Sequence, residues 1–190
     1  MGSLYLGIDL GTTVLKAAVF GKDGNCHAET SARLPIITGR GGQREQNVAA
    51  LGTILLKVLR ETIRKSGQSA DEIVGIGIAA QGGSFIPADA ATGTPRAPMV
   101  LWNDMRGADQ LTAIGKKKPR AFWHPLSYLD GPVTGVAKLA YHATLHPKWF
   151  ARGTICAGAG AFLFHHLTGI WRQEAGHAIQ LGCYNWKRDC

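Results

Sequence analysis

The chain has 190 residues, ordinary apolar content at 45% and a formal net charge of +8 at neutral pH. That length suits one domain with its own core. No apolar run reaches the length of a membrane span, and the N-terminus lacks the pattern of a signal peptide. Cys26, Cys156, Cys183 and Cys190 have no paired spacing. This argues against a metal ribbon or disulfide framework and for reduced thiols in a cytoplasmic protein.

Residues 4–9 read as an apolar strand that ends at one acid, Asp9. A tight turn over 10–13 carries Gly11, Thr12 and Thr13, and a second strand, 14–20, carries Lys16. An acid at a strand end, beside a turn rich in N–H groups and hydroxyls, suits a nucleotide phosphate with its magnesium ion. Gly11 lets backbone approach a phosphate closely. A second turn, Gly21-Lys22-Asp23-Gly24, leads into a third strand over about 25–33. A glycine-rich loop, 39–42, follows. Residues 47–66 form the clearest helix, with Leu51, Leu55, Val58, Leu59 and Thr62 on one face. Asn47 is its N-cap and Gly67 its stop.

Residues 73–80 have the composition of a buried parallel strand. Three strands, a helix and a strand point to a mixed sheet with helices against it. The second half is less regular. A short strand over 84–89 is expected, then a helix capped by Asp104, a helix over 133–145, a strand over 154–158 and a helix over 159–168 closed by Gly169. The last residues offer no closing element, and no domain boundary is visible.

Several other signals are weaker. The Gly75-x-Gly77-x-x-Ala80 spacing matches a dinucleotide fingerprint, but its glycines lie inside a strand, where close packing explains them better. His142 and His146 have zinc spacing on a helix without the glutamate or a third ligand, so surface or helix-end histidines are expected. Lys116-Lys117-Lys118-Pro119-Arg120 has no interleaved aromatics and reads as a solvated loop, not a nucleic-acid site. Trp102-Asn103-Asp104-x-Arg106 is either a buried Trp beside a helix cap or a sugar platform with polar neighbours.

Taken in order, these segments resemble the FGGY family of carbohydrate kinases, near the xylulokinases and glycerol kinases. The carrying segments are Asp9-Leu10-Gly11-Thr12-Thr13 with Lys16, Arg44-Glu45-Gln46-Asn47, Ile76 to Gly83, Ala97 to Arg106, Gly135-Val136-Ala137-Lys138-Leu139 and Leu167-Thr168-Gly169. The resemblance implies an actin-like ribonuclease-H-type α/β lobe with ATP and Mg2+ as cofactors. By it Asp9 helps hold hydrated magnesium, while Gly11, Thr12, Thr13 and Lys16 lie near the transferred phosphate. Gln81, Gly82, Gly83, Ser84, Trp102, Asn103 and Asp104 face a sugar or polyol.

The implied activity is transfer of the ATP γ-phosphate to a substrate hydroxyl by positioning and electrostatic stabilisation. Xylulokinases usually carry Met-His where Gly82-Gly83 stand here, which points to a substrate other than D-xylulose. Family members are more than twice as long, and their second lobe supplies the adenosine site and the general base. The resemblance therefore implies one N-terminal lobe over residues 1–190, with its second lobe in the same or another chain as partner. No nucleic-acid or membrane partner is expected, and a homodimer stays open. The competing readings are a non-catalytic sugar- or phosphate-binding module and a lobe of another actin-like ATPase.

Overall fold

The computed structural model describes residues 3–127 and 131–188. In chain order, strands β1 (Leu4–Leu10), β2 (Val14–Gly21), β3 (Cys26–Arg33), β4 (Ile37–Thr38) and β5 (Arg44–Gln46) precede helix α1 (Val48–Ser66). Strands β6 (Ile73–Ala80), β7 (Phe85–Asp89) and β8 (Met99–Val100) follow. Then come helices α2 (Leu111–Gly115), α3 (Arg120–Ser127) and α4 (Thr134–Leu145), strand β9 (Thr154–Gly158), and helices α5 (Ala159–Thr168) and α6 (Ala175–Gln180). Although the sequence shows no boundary, the chain divides into two compact units. Unit 1 holds the described residues up to Ile36 and Gln46–Gln81; unit 2 holds Ile37–Glu45 and the described residues from Gly82 on.

Unit 1 is a four-stranded sheet in the order β3-β2-β1-β6. β1 runs antiparallel to β2, β2 antiparallel to β3, and β6 parallel to β1. The expected mixed sheet with three antiparallel strands first is therefore present. Leu4, Leu6, Ile8 and Leu10 of β1 are buried, alternating with exposed or half-buried residues, the period of a strand with one covered face. Helix α1 packs on β2 and β3 and buries Leu51, Leu55, Val58 and Thr62. The Asn47 side chain accepts from Ala50 N, and Gly67 takes the left-handed conformation at φ 67°, as both cap signals require. The buried Thr62 hydroxyl donates to Val58 O at 2.8 Å and meets the Thr30 hydroxyl of β3.

Strand β6 departs from expectation. Its residues are exposed or half-buried, with Val74 at 63% and Ile76 at 53% exposure. The cause is its place at the sheet edge, with β1 as its one strand neighbour. Close packing explains Gly75, where a methyl group would stand 3.3 Å from the Tyr5 ring, but not Gly77, which has open space.

Unit 2 contains a second sheet, β4-β5-β8-β7-β9, which the sequence reading did not separate from the first. Phe85, Val100 and Leu181 form its core, packed by Leu139, Trp149 and Phe150. Helices α4 and α5 lie where the periodicity places them, and Gly169 ends α5 at φ 72°. The helix expected from Asp104 does not start there. The chain makes a 3-10 turn at Ala108–Gln110 before α2, because the Asp104 carboxylate is committed elsewhere. Cys26, Cys156 and Cys183 are free thiols, and Cys190 lies outside the described residues. Among the described residues no helix is long and apolar enough to cross a membrane.

Candidate functional site

The first candidate site lies in unit 1, where β1 turns into β2. Asp9 and Lys16 are directly opposite in the antiparallel register, and both are exposed. No ion pair joins them, and the Asp9 carboxylate has no partner among the described residues. Gly11 N donates to Val14 O at 3.1 Å, and a methyl group on Gly11 would come within 2.9 Å of that oxygen. The tightness of the turn is thus a reason for glycine that the sequence reading did not identify.

The turn is braced from within the unit. Thr12 Oγ1 donates to Gln81 Oε1 at 3.0 Å, Gln81 Nε2 donates to Gly11 O at 3.4 Å, and Gln81 N donates to Leu10 O at 2.8 Å. Gln46, 2% exposed, donates from Nε2 to Thr12 O at 2.8 Å. Leu34 N donates to Thr13 O at 2.8 Å. Gln81, expected at a sugar, braces the β1–β2 turn, and so does Gln46, to which the sequence assigned no role. Only the identity of a buried amide could have signalled it. Thr13 stays exposed. One unpartnered carboxylate beside a hydroxyl-bearing turn fits a hydrated magnesium ion, which takes one or two carboxylates and keeps several waters. No group of three metal-ligating side chains exists among the described residues.

The second candidate site lies in unit 2, around Gly82, Gly83 and Trp102. Gly83 adopts φ 69°, and a methyl group there would stand 3.2 Å from Trp102 Cβ. The Trp102 side of this corner is 53% exposed, while Asn103 is half-buried with its Oδ1 buried and unmatched. Two expected sugar contacts point elsewhere. Ser84 is fully buried, and its hydroxyl accepts from Trp102 N at 2.9 Å. Asp104, 3% exposed, accepts from Arg44 N at 2.8 Å, from Arg106 N at 2.9 Å and from the Arg106 guanidinium. Arg106 also pairs with buried Glu45. Both oxygens of Asp104 are thereby engaged, and the residue braces the loop instead of facing a ligand. Burial pushes its carboxyl up, but the hydrogen bonds from Arg106 and Arg44 outweigh this and the net shift is down.

Two residues without a sequence-derived role hold this corner. Lys138 of α4, 2% exposed, donates from Nζ to Gly83 O, Leu101 O and Trp102 O, each at 3.0 Å. Burial pulls its ammonium down to about 8, against the upward pull of Asp104. His177 of α6 places Nε2 2.7 Å from Ser84 O. Helix α6 was missed because its signal is local and short: Glu174 caps it by accepting from Gly176 N at 2.6 Å and His177 N at 2.9 Å. His142 and His146 belong to a ring stack. His142 is fully buried, against the surface expectation, and its ring stacks with those of His146 and Trp149.

The β3-β2-β1-β6 sheet opens with an antiparallel hairpin whose turn carries an exposed acid, and solved kinases share this fold. The chain aligns with Plasmodium falciparum glycerol kinase in its ADP complex at TM-score 0.85 and 16% identity, over 100% of this chain and 39% of that one. Xylulose kinase from Rhodospirillum rubrum aligns at TM-score 0.84 and 20% identity, over 94% of this chain and 37% of that one. In sequence, glycerol kinase of Janthinobacterium sp. (strain Marseille) is 34% identical over 97% of this chain and 38% of its own length. A probable L-xylulose kinase of Pasteurella multocida is 41% identical over 43% of this chain and 17% of its own length. Residues 4–189 match the profile described as "FGGY family of carbohydrate kinases, N-terminal domain". The chain belongs to the FGGY family of carbohydrate kinases. It spans about two-fifths of the length of the relatives that it matches along most of its own length.

Proposed function

We propose that this chain is the N-terminal lobe of an ATP-dependent kinase that moves the γ-phosphate to a terminal hydroxyl of a sugar or polyol. The observation that carries this reading is the Asp9–Lys16 pair, exposed and unjoined, beside a turn held by Gln81 and Gln46. An anionic and a cationic group held side by side suit a metal-bound phosphate better than either does alone. Magnesium, when bound, neutralises phosphate charge. Asp9 would hold it through water. Lys16 and the Thr12–Thr13 turn would face the phosphate oxygens, with Gly11 keeping the turn tight, and the braces on Thr12 would fix their geometry before substrate arrives.

The exposed face of Trp102 with Gly82, Gly83 and Asn103 is the substrate patch in this reading. The absence of side chains at residues 82 and 83 favours a ligand other than D-xylulose. The adenosine contacts and the general base belong to the second lobe, in the same or a partner chain. Loss of a positioned base costs about 100- to 10,000-fold, so the chain alone is expected to show negligible sugar-dependent ATP turnover in a coupled assay. Turnover of about 1–100 per second, ordinary for kinases, would refute the two-lobe reading. In the complete enzyme, Asp9→Asn is expected to abolish magnesium-dependent turnover and leave the melting temperature unchanged. A sharp fall in melting temperature with magnesium dependence intact would make Asp9 structural.

A further inference from the structure

Helix α6 ends at the Gly82–Gly83 corner, within the same unit. A methyl group on Gly82 would run into the Gln180 amide oxygen and stand 2.8 Å from its amide carbon and nitrogen. One on Gly83 would lie 3.3 Å from the same oxygen and 3.2 Å from Trp102 Cβ. The Gln180 side chain therefore occupies space that a side chain at 82 would claim, next to the exposed Trp102. Gln180 is itself exposed, and its amide has no hydrogen-bond partner among the described residues.

The backbone behind that amide is fixed. Glu174 caps α6, His177 meets Ser84 O, and Leu181 is 2% exposed. At Gly135 a methyl group would stand 2.7 Å from Leu181 Cα, so only glycine admits the helix end here. A packed helix end thus delivers a movable amide to a corner stripped of its own side chains. A carboxamide offers both a carbonyl acceptor and N–H donors, which matches two neighbouring hydroxyls, one donating and one accepting.

We propose that Gln180 is a specificity-determining residue of the substrate patch, contacting adjacent hydroxyls of a sugar or polyol where Gly82 and Gly83 offer no side chain. This rests on the kinase-lobe reading above. One neutral hydrogen bond is worth about 0.5–1.5 kcal/mol, so its loss should weaken binding about 2- to 12-fold.

The test is binding of glycerol, D-xylulose, L-xylulose and D-gluconate to the chain, followed by ligand-observed NMR titration, with thermal melts as the folding check. Gln180→Ala and Gln180→Met are expected to weaken the preferred ligand by that factor and to reorder the panel, with melting temperatures unchanged. Met fills the same space without hydrogen bonds, so it separates polarity from shape. Gly82→Ala, which evicts the amide, is expected to reproduce the effect. Unchanged affinity and rank order in both Gln180 variants overturn the proposal and leave the kinase-lobe reading standing. A wild-type chain that binds no member of the panel overturns the substrate patch, and the role of Gln180 with it.

Discussion

An ammonium group surrounded by three carbonyl oxygens, with no carboxylate in hydrogen-bond contact, is a costly thing to bury. Lys138 accepts that cost and ties Gly83, Leu101 and Trp102 to α4. Lys138→Met keeps most of the volume but strands the carbonyls. Leaving a buried acceptor without its donor costs about 1–3 kcal/mol, a fall of about 2–12 °C in melting temperature for a chain of this size, readable by circular dichroism. The sign of its pH dependence follows from burial. The folded-state value near 8 lies below the ordinary 10.5, so the contribution of Lys138 is complete above 10.5 and is lost as pH falls through 8. A melt series from pH 7.5 to 10.5 should rise through this group in the wild type and lose that increment in Lys138→Met. His142 behaves likewise at acid pH. Burial, first, and the Arg106 charge pull it down to about 4, while Asp104 and Glu45 oppose them and His146 adds to the fall. Its contribution is complete above 6.5 and disappears as pH falls through 4. His142→Phe, which keeps a ring against Trp149, should flatten stability between those limits; an unchanged acid limb would show that other groups govern it.

Elements with a long period were legible in the sequence, and elements defined by their partners were not. Helix α1 spans Val48–Ser66 with the cap residues its sequence announces, because five turns of apolar spacing leave little ambiguity. Strands β1 to β3 follow from alternation and from the Gly24 turn at φ 82°. Strands β4 and β8, two residues each, have no periodicity to read. Asp104 looked like a helix cap because Asp caps helices, yet the Arg106 guanidinium two residues on claims the carboxylate first. At the β1–β2 turn, the facing of Asp9 and Lys16 follows from their places at a strand end and in the returning strand, whereas the pairing of Gln46 with Thr12 across 34 residues left no local trace. The cap on α1 is the simplest element-level test. Asn47→Ala removes the acceptor for Ala50 N and should cost about 1 kcal/mol, a fall of about 2–4 °C in melting temperature. An unchanged melt would mean that packing on β2 and β3 alone sets the start of the helix.

At the scale of the whole molecule, the composition of β6 conflicts with its surroundings. Ile-Val-Gly-Ile-Gly-Ile-Ala-Ala is the text of a strand covered on both faces, yet this chain gives it one neighbour, β1, and leaves Val74 and Ile76 exposed. Helix α1 packs chiefly on β2 and β3. The edge also lacks the usual protections: no lysine and no proline interrupt residues 73–80, so its free N–H and C=O groups and apolar side chains form a template for another strand. The chain studied alone is therefore expected to self-associate in the micromolar to millimolar range where exposed edges act. Size-exclusion chromatography with light scattering would show this as mass rising with concentration. Val74→Lys places a charge at the more exposed of the two large apolar side chains of that edge and should return the chain to a monomer. It should leave the melting temperature unchanged, because a surface position contributes little to folding. A wild-type chain that stays monomeric across that range would mean that the exposed β6 edge does not self-pair, despite its composition.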